Sequence, residues 1–185
     1  MRELIVTEFI TLDGVIEAPG GEPGHPHTGW AGDAFGPEQL QYKLDEVLEA
    51  EALLLGRVTY EGFAQAWAPR EGPFADKMNA MPKHVASTTL TVLDWNNSTL
   101  LAGDVPTAVA ELKQGDGGPI LVAGSGTLAH TLIDHDLVEE FRLMIFPVVL
   151  GSGKRFFPQS PDKRTLELVD TIQFSTGVVA HHYRR

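Results

Sequence analysis

The sequence predicts an α/β fold built on a mixed, mainly parallel sheet that closes on antiparallel C-terminal strands. Three observations carry that prediction. Short apolar, β-branched runs alternate with helix-patterned stretches as far as residue 138, the arrangement of crossover units in a parallel sheet. Beyond 138 the helical patterning stops and only strand-like segments follow. The 19 Gly and 12 Pro of the 185 residues gather at 17–36 and 147–161, which marks long shaped loops on a compact scaffold.

Leu4 to Leu12 is rich in β-branched residues, is interrupted by Glu8, and ends at Asp13-Gly14, so it reads as a first strand and its turn. Residues 15–36 form a long loop with several prolines, two histidines and Trp30, a length that in a compact domain points to function or mobility. Pro37 opens a helix that runs to about Ala50, with Leu40, Leu44, Val47 and Leu48 as its expected buried stripe. Ala52 to Leu55 reads as a buried parallel strand, and a helix follows from Arg57 to Trp67, where Phe63 and Trp67 have core spacing. A short helix over Phe74 to Met81 and a strand over Lys83 to Ala86 come next, the strand ending in Ser87-Thr88-Thr89. Residues 99–101 suggest a further strand, 105–114 a helix, Pro119 to Ala123 a strand, and Thr127 to Asp134 a helix. Val138–Leu150, Leu166–Phe174 and Val178–Tyr183 are strand-like, the last two joined as a hairpin through Ser175-Thr176-Gly177. Pro147 lacks a ladder donor and is expected to mark a bulge or edge within its strand.

Composition narrows the function classes. With 14 Lys+Arg against 25 Asp+Glu the formal charge is −11, which disfavours a nucleic-acid backbone partner. Zero Cys removes disulfides, thiol nucleophiles, iron–sulfur clusters and thiolate zinc sites. No signal-peptide core follows Met1, and the apolar run Leu143 to Leu150 is broken by Pro147 and is far shorter than the ~20 residues that span a bilayer. The expectation is one domain over 1–185, cytoplasmic, with no membrane partner.

Two strand–Gly–helix junctions stand out: Leu55-Gly56-Arg57-Val58-Thr59 and Val122-Ala123-Gly124-Ser125-Gly126-Thr127. At such a junction free backbone N–H groups and the helix dipole converge, and glycine admits a phosphate close to the main chain. Two in one sheet suit a ligand with two separated anionic groups, although either alone also reads as an ordinary connection. Gly124-x-Gly126-x-x-Ala129 matches the dinucleotide fingerprint, but no carboxylate lies near 144–150 and antiparallel strands follow, so a standard Rossmann assignment is rejected. Arg57 and Thr59 add a cation and a hydroxyl, and Ser87, Thr88 and Thr89 put hydroxyls where an NAD binder places an acid. Hydroxyls and a guanidinium would accept a 2′-phosphate, which favours NADP over NAD.

Gly56-Arg57-Val58-Thr59-Tyr60-Glu61 resembles the G-R-x-T-[W/Y]-E signature of dihydrofolate reductases, and other segments fall in that family's order. The match is nearer to a subgroup of the fold, the reductase half of the bifunctional riboflavin-biosynthesis deaminase–reductase and its stand-alone relatives. It rests on Thr11-Leu12-Asp13-Gly14 and on Pro147-Val148-Val149-Leu150-Gly151-Ser152-Gly153-Lys154-Arg155-Phe156, and it covers essentially the whole chain. The resemblance implies a three-layer α/β/α dihydrofolate reductase-like fold and an NADPH cofactor. It implies that Asp13, Gly14 and Ile16 sit by the nicotinamide, that Gly56, Arg57 and Thr59 hold phosphates, and that Ser87 and Thr88 meet the 2′-phosphate. Gly124, Ser125, Gly126, Thr127 and Leu128 would lie under the pyrophosphate. A homodimer is implied by the same relatives. The substrate carboxylate of dihydrofolate reductases has no clear counterpart among Asp33, Glu38 and Asp45, and the deaminase half, with its cysteine zinc ligands, is absent.

The reading that follows is hydride transfer from NADPH to a small planar heterocyclic (pterin-, pyrimidine- or flavin-like) or carbonyl or imine acceptor. Trp30 is a candidate stacking face for it, and Gly151 and Gly153 either line its pocket, support a dimer contact or form a bulged turn. Asp13, Glu17, Asp33 and Glu38 are candidate proton donors. Lys83 and Lys154 are candidate helpers of Arg57 in holding an anion on an acidic protein. His25 and His27 fit no recognised metal spacing, so no metal is expected. A nucleotide-binding module using the same cleft without turnover is the alternative.

Overall fold

The computed structural model describes residues 1–157 and 163–185, so the end of the loop expected over 147–161 lies outside the described residues. Among these, one sheet holds β1 (Leu4–Thr11), β2 (Ala52–Gly56), β3 (Lys83–Ala86), β4 (Ser98–Leu100), β5 (Ile120–Ala123), β6 (Glu140–Phe146), β7 (Glu167–Gln173) and β8 (Val179–Arg184). Between them run α1 (Pro37–Glu49), α2 (Arg57–Trp67), α3 (Pro73–Ala80), α4 (Val105–Gln114) and α5 (Gly126–Asp134). The strand order is β4-β3-β2-β5-β1-β6-β8-β7. Every pairing from β4 to β6 is parallel, and β8 and β7 add antiparallel.

Strand alternation sorts the core. Leu4, Val6 and Ile10 of β1 join Val109 of α4 and Leu128, Ala129 and Leu132 of α5 on one face. Ile5 turns the other way, toward Val47 of α1, Tyr60 of α2 and Met78 of α3. The sheet is therefore sandwiched, and β2 reads as an unbroken apolar run because Leu53, Leu54 and Leu55 are all fully buried. Each such side chain contributes about 1.5–3 kcal/mol. Trp67 and Phe63 pack against the α1 face of the core, with Trp67 stacked on Phe74 at 4.6 Å.

Two expectations are corrected. The inner face of α1 is not the leucine stripe: Leu40 and Leu48 are 51% and 50% exposed, while Gln39 and Glu46 are buried beside Val47. Rotating the helix this way brings Lys43, Glu49 and Tyr42 onto Thr7, Arg142 and His182 of the sheet, while buried Gln39 donates to Ala34 O and buried Glu46 pairs with Lys43. Pro147 lies outside its strand, because β6 stops at Phe146 and the chain turns with Val148 N–H on the Phe146 carbonyl at 2.8 Å. The hairpin is as expected, with Phe174 N–H bonded to Val178 O and Gly177 at φ 87°.

One register difference shapes the site. β5 accompanies β1 only from Leu4 to Thr7, whereas β6 follows it to Thr11. From Glu8 onward the β5 side of β1 has no strand neighbour among the described residues, so the β1–β5 ladder ends at the carboxyl edge of the sheet, beyond Ala123. Ligands of open α/β sheets bind at such places.

Candidate functional site

The two glycine junctions meet at that edge. β2 and β5 are neighbours, so the starts of α2 and α5 lie side by side. Gly56 N–H donates to Ser125 Oγ at 3.0 Å, and Ser125 N–H donates to Thr59 Oγ1 at 2.9 Å. Gly124 and Ser125 are both left-handed, at φ 58° and 61°, and their own N–H groups are taken inside the fold, by Thr7 O at 3.3 Å and by Thr59 Oγ1. A side chain at Gly124 would meet Thr59 Cγ2 at 3.3 Å, so the close approach needs glycine. Neither α2 nor α5 has a side-chain cap, whereas α4 is capped by Asp104. The first-turn N–H groups of both helices are thus left for an anion.

Cations frame the junctions. Arg57 is exposed on the first turn of α2, beside Glu61 at 2.9 Å. Lys154 Nζ reaches Thr127 Oγ1 at 3.0 Å on α5. Lys83 does not serve here: it is fully buried, its ammonium donates to the Asn79, Met81 and Asn96 carbonyls, and it lies over the Trp95 ring. Ser87 and Thr88 follow β3, whose Ala86 pairs with Gly56, so the turn that carries them lies beside the α2 junction. Ser87 Oγ also accepts from Leu90 N–H at 3.0 Å and shapes its turn.

The loop after β1 is stapled to residues 150–156. Ile16 N–H bonds to Lys154 O at 2.8 Å, Phe156 N–H to Gly14 O at 2.9 Å, and Val15 bridges Arg155. The Asp13 carboxylate accepts from the Thr11 hydroxyl at 2.6 Å and from the Leu150 and Gly151 N–H groups at 3.2 and 2.8 Å. Those bonds, the Thr11 hydroxyl first, hold its pKa down to about 2. Gly153, at φ 120°, tucks where a Cβ would be 2.7 Å from Val15 Cγ1 and 3.2 Å from His25 Nε2. Ile16 is laid against the first turn of α5, since a Cβ on Gly126 would be 2.4 Å from its Cδ1. Asp13, Gly14, Ile16, Gly151 and Gly153 are therefore brought together with Gly126, Thr127 and Leu128.

The remaining candidates are dispersed. Glu17 Oε2 accepts from Lys154 N–H at 2.8 Å. Glu38 accepts from the Ser175 N–H and hydroxyl, which keep its pKa below the ordinary carboxylate value. Asp33 is exposed in a short 3-10 turn. Trp30 donates to Glu17 O at 2.7 Å and sets its ring edge-on to Phe146 at 5.4 Å. His25 and His27 have ring centroids 5.8 Å apart, and His25 Nε2 meets Ser152 O at 3.2 Å.

Sequence reading did not select the buried charged groups of β1 and α1. Glu8 is 5% exposed, its Oε1 has no hydrogen-bond partner among the described residues, and burial pushes its pKa up to about 8 against the pull of Lys43 and Lys154. Lys43 of α1 donates to Thr7 Oγ1 at 2.7 Å and pairs with the buried Glu46. The signal for Glu8 was a lone acid inside an apolar strand. Lys43 and Glu46 had none, because the expected leucine stripe placed them outward.

The family model for the RibD C-terminal domain matches residues 2–180. The uncharacterized protein YyaP of Bacillus subtilis (strain 168) is 31% identical over 187 residues, covering 96% of this chain and 92% of that one. YwjB of the same strain is 27% identical and covers 99% and 98%. A Shewanella sp. PV-4 structure, provisionally named a riboflavin biosynthesis protein, superposes with a TM-score of 0.77 at 20% identity, covering 100% and 99% of the two chains. Dihydrofolate reductase from Enterococcus faecalis, solved with NADP(H), superposes at 0.64 with 18% identity and covers 99% and 96%. A pyrimidine reductase-like protein from Corynebacterium diphtheriae superposes at 0.66 with 10% identity and covers 99% and 91%. By sequence and by architecture, the chain belongs to the RibD C-terminal domain family, on a dihydrofolate reductase-like fold.

Proposed function

We propose that the chain is an NADPH-dependent reductase that delivers hydride to a C=N or C=O group of a small planar acceptor. The observation that carries the reading is the pair of uncapped helix starts, clamped together through Thr59, Ser125 and Gly56 at the carboxyl edge of the sheet. The match to the RibD C-terminal domain and the fold shared with a reductase solved with NADP(H) support it. In this reading Gly124, Ser125, Gly126, Thr127 and Leu128 take the pyrophosphate on the α5 start. Gly56, Arg57 and Thr59 take phosphate on α2, and Ser87 and Thr88, with Arg57, select the 2′-phosphate. Asp13 anchors the loop whose Ile16 walls the nicotinamide. When bound, NADPH supplies the hydride from C4 of its nicotinamide. The chain's own residues bind it, hold the two planes at reacting distance and keep water out. Trp30, Gly151 and Gly153 lie on the acceptor side, and a homodimer is part of the proposal.

The test is NADPH oxidation with pterin, pyrimidine, flavin-like, imine and quinone acceptors, together with NADPH titration. Saturable NADPH binding with turnover of a C=N or C=O acceptor is expected. Binding without any turnover would favour a nucleotide-binding module, and no binding would defeat both readings. Sedimentation of the purified chain checks the dimer.

A further inference from the structure

We propose that the Lys154 ammonium is a ligand of the cofactor's pyrophosphate at the start of α5, and that Glu17, although an acid, strengthens the binding of this anion by holding Lys154 in place. The inference rests on the reductase reading above and gives Glu17 a role other than proton donor. Lys154 is fixed at each of its polar groups. Its backbone N–H donates to Glu17 Oε2 at 2.8 Å, its carbonyl accepts from Ile16 N–H at 2.8 Å, and its ammonium donates to Thr127 Oγ1 at 3.0 Å. The stem lies over Gly126, where a Cβ would be 3.5 Å from Lys154 Cδ. The charge is thereby delivered to the first turn of α5, which has no side-chain cap.

Placement matters because a lysine stem that swings freely loses rotamer freedom when its ammonium grips an anion, and one already laid down loses less. Here the placement begins at the main chain. Gly153, at φ 120°, brings the turn so close to the loop after β1 that a Cβ on it would lie 3.3 Å from Glu17 Oε2 and 2.7 Å from Val15 Cγ1. Glu17 is itself held from the same loop, since the Trp30 indole donates to its carbonyl at 2.7 Å. At the other junction Arg57 is ion-paired with Glu61 at 2.9 Å, whereas Glu17 engages the backbone of Lys154 and leaves the ammonium to Thr127.

Charge alone predicts the opposite sign for Glu17. A carboxylate near an anion site repels the anion, so on a protein of formal charge −11 removing an acid there should tighten NADPH. Acting through Lys154, loss of the Glu17 carboxyl group should instead weaken it. Glutamine separates the two effects, because its amide oxygen still accepts the Lys154 N–H while the charge is gone. Glu17 could also act through Ile16, the proposed nicotinamide wall. The ligand 2′-phospho-ADP-ribose keeps the phosphates and lacks the nicotinamide, so it takes that route out of the measurement.

The experiment is calorimetric titration of the wild type, Lys154→Met, Glu17→Ala, Glu17→Gln and the Glu17→Ala, Lys154→Met double variant with NADPH and with 2′-phospho-ADP-ribose. Melting curves fix a temperature at which all five are folded. Lys154→Met should weaken both ligands about 10-fold. Glu17→Ala should weaken both about three- to tenfold, and Glu17→Gln should bind at least as tightly as the wild type. In the Lys154→Met background Glu17→Ala should have no further effect, because the ammonium it positions is gone. Glu17→Ala that binds as tightly as the wild type or tighter, or Glu17→Gln as weak as Glu17→Ala, overturns the positioning role. A Glu17→Ala loss confined to NADPH, or one that persists beside Lys154→Met, overturns it as well, since each places the effect in the loop. Unchanged affinity in Lys154→Met overturns the phosphate contact. Wild type that binds neither ligand overturns the reductase reading itself, and this inference with it.

Discussion

Lys83 and Glu8 are both buried ionisable residues, and they resolve burial in opposite ways. Lys83, whose pKa burial pulls down to about 8, donates to three carbonyls that gather α3, the residue after it and the turn before β4. Lys83→Met leaves those carbonyls without their donor inside the core and should lower stability by about 3 kcal/mol, read from urea unfolding. NADPH affinity should not change by more than about twofold in the same variant, because the ammonium points into the fold and not toward the junctions. Among the described residues Glu8 Oε1 finds no partner, and burial pushes the carboxyl's pKa up to about 8. The sequence shows both residues plainly, yet it cannot distinguish these outcomes. Which carbonyls lie within reach of an ammonium, or which carboxyl is buried without a partner, depends on contacts between distant segments. The hydroxyls of Ser125 and Thr59 illustrate the same limit: their types are visible at the junctions, but the bonds that lock the junctions together span 69 and 66 residues.

At the scale of elements, α2, β3 and α4 run as patterning and punctuation predict, because Gly56, Ser87 and Pro106 mark their ends. The inner face of α1 was not legible. A leucine pattern predicts which side is apolar, but here the sheet beneath offers Thr7, Arg142 and His182, and the helix turns its polar side to them. Pro147 ends β6 instead of bulging it. The turn at 150–156 was legible as glycine-rich but open among three roles, and its contacts with residues 13–17 come from long-range pairing. Gly153→Ala tests that pairing. The left-handed φ of 120° and the 2.7 Å approach to Val15 should cost about 1–3 kcal/mol and lower the melting temperature by several degrees. If the stapled loop forms the nicotinamide wall, NADPH affinity should fall in the same variant at a temperature where it is folded. An undiminished affinity would detach this segment from the site.

The whole molecule carries a formal charge of −11, and its proposed ligand is a polyanion. The long-range field opposes approach, so binding must come from short-range geometry: two helix starts, Arg57 and Lys154. Affinity should accordingly depend on single local cations more than on net charge. The most direct measurement is calorimetric titration of the wild type and Arg57→Ala with NADPH and NADH. A charge-assisted bond to the 2′-phosphate contributes about 1.5–3 kcal/mol, which predicts NADPH binding roughly 10- to 100-fold tighter than NADH in the wild type and near-equal binding in Arg57→Ala. Equal affinity for the two nucleotides in the wild type, or no saturable binding of either, would contradict the account.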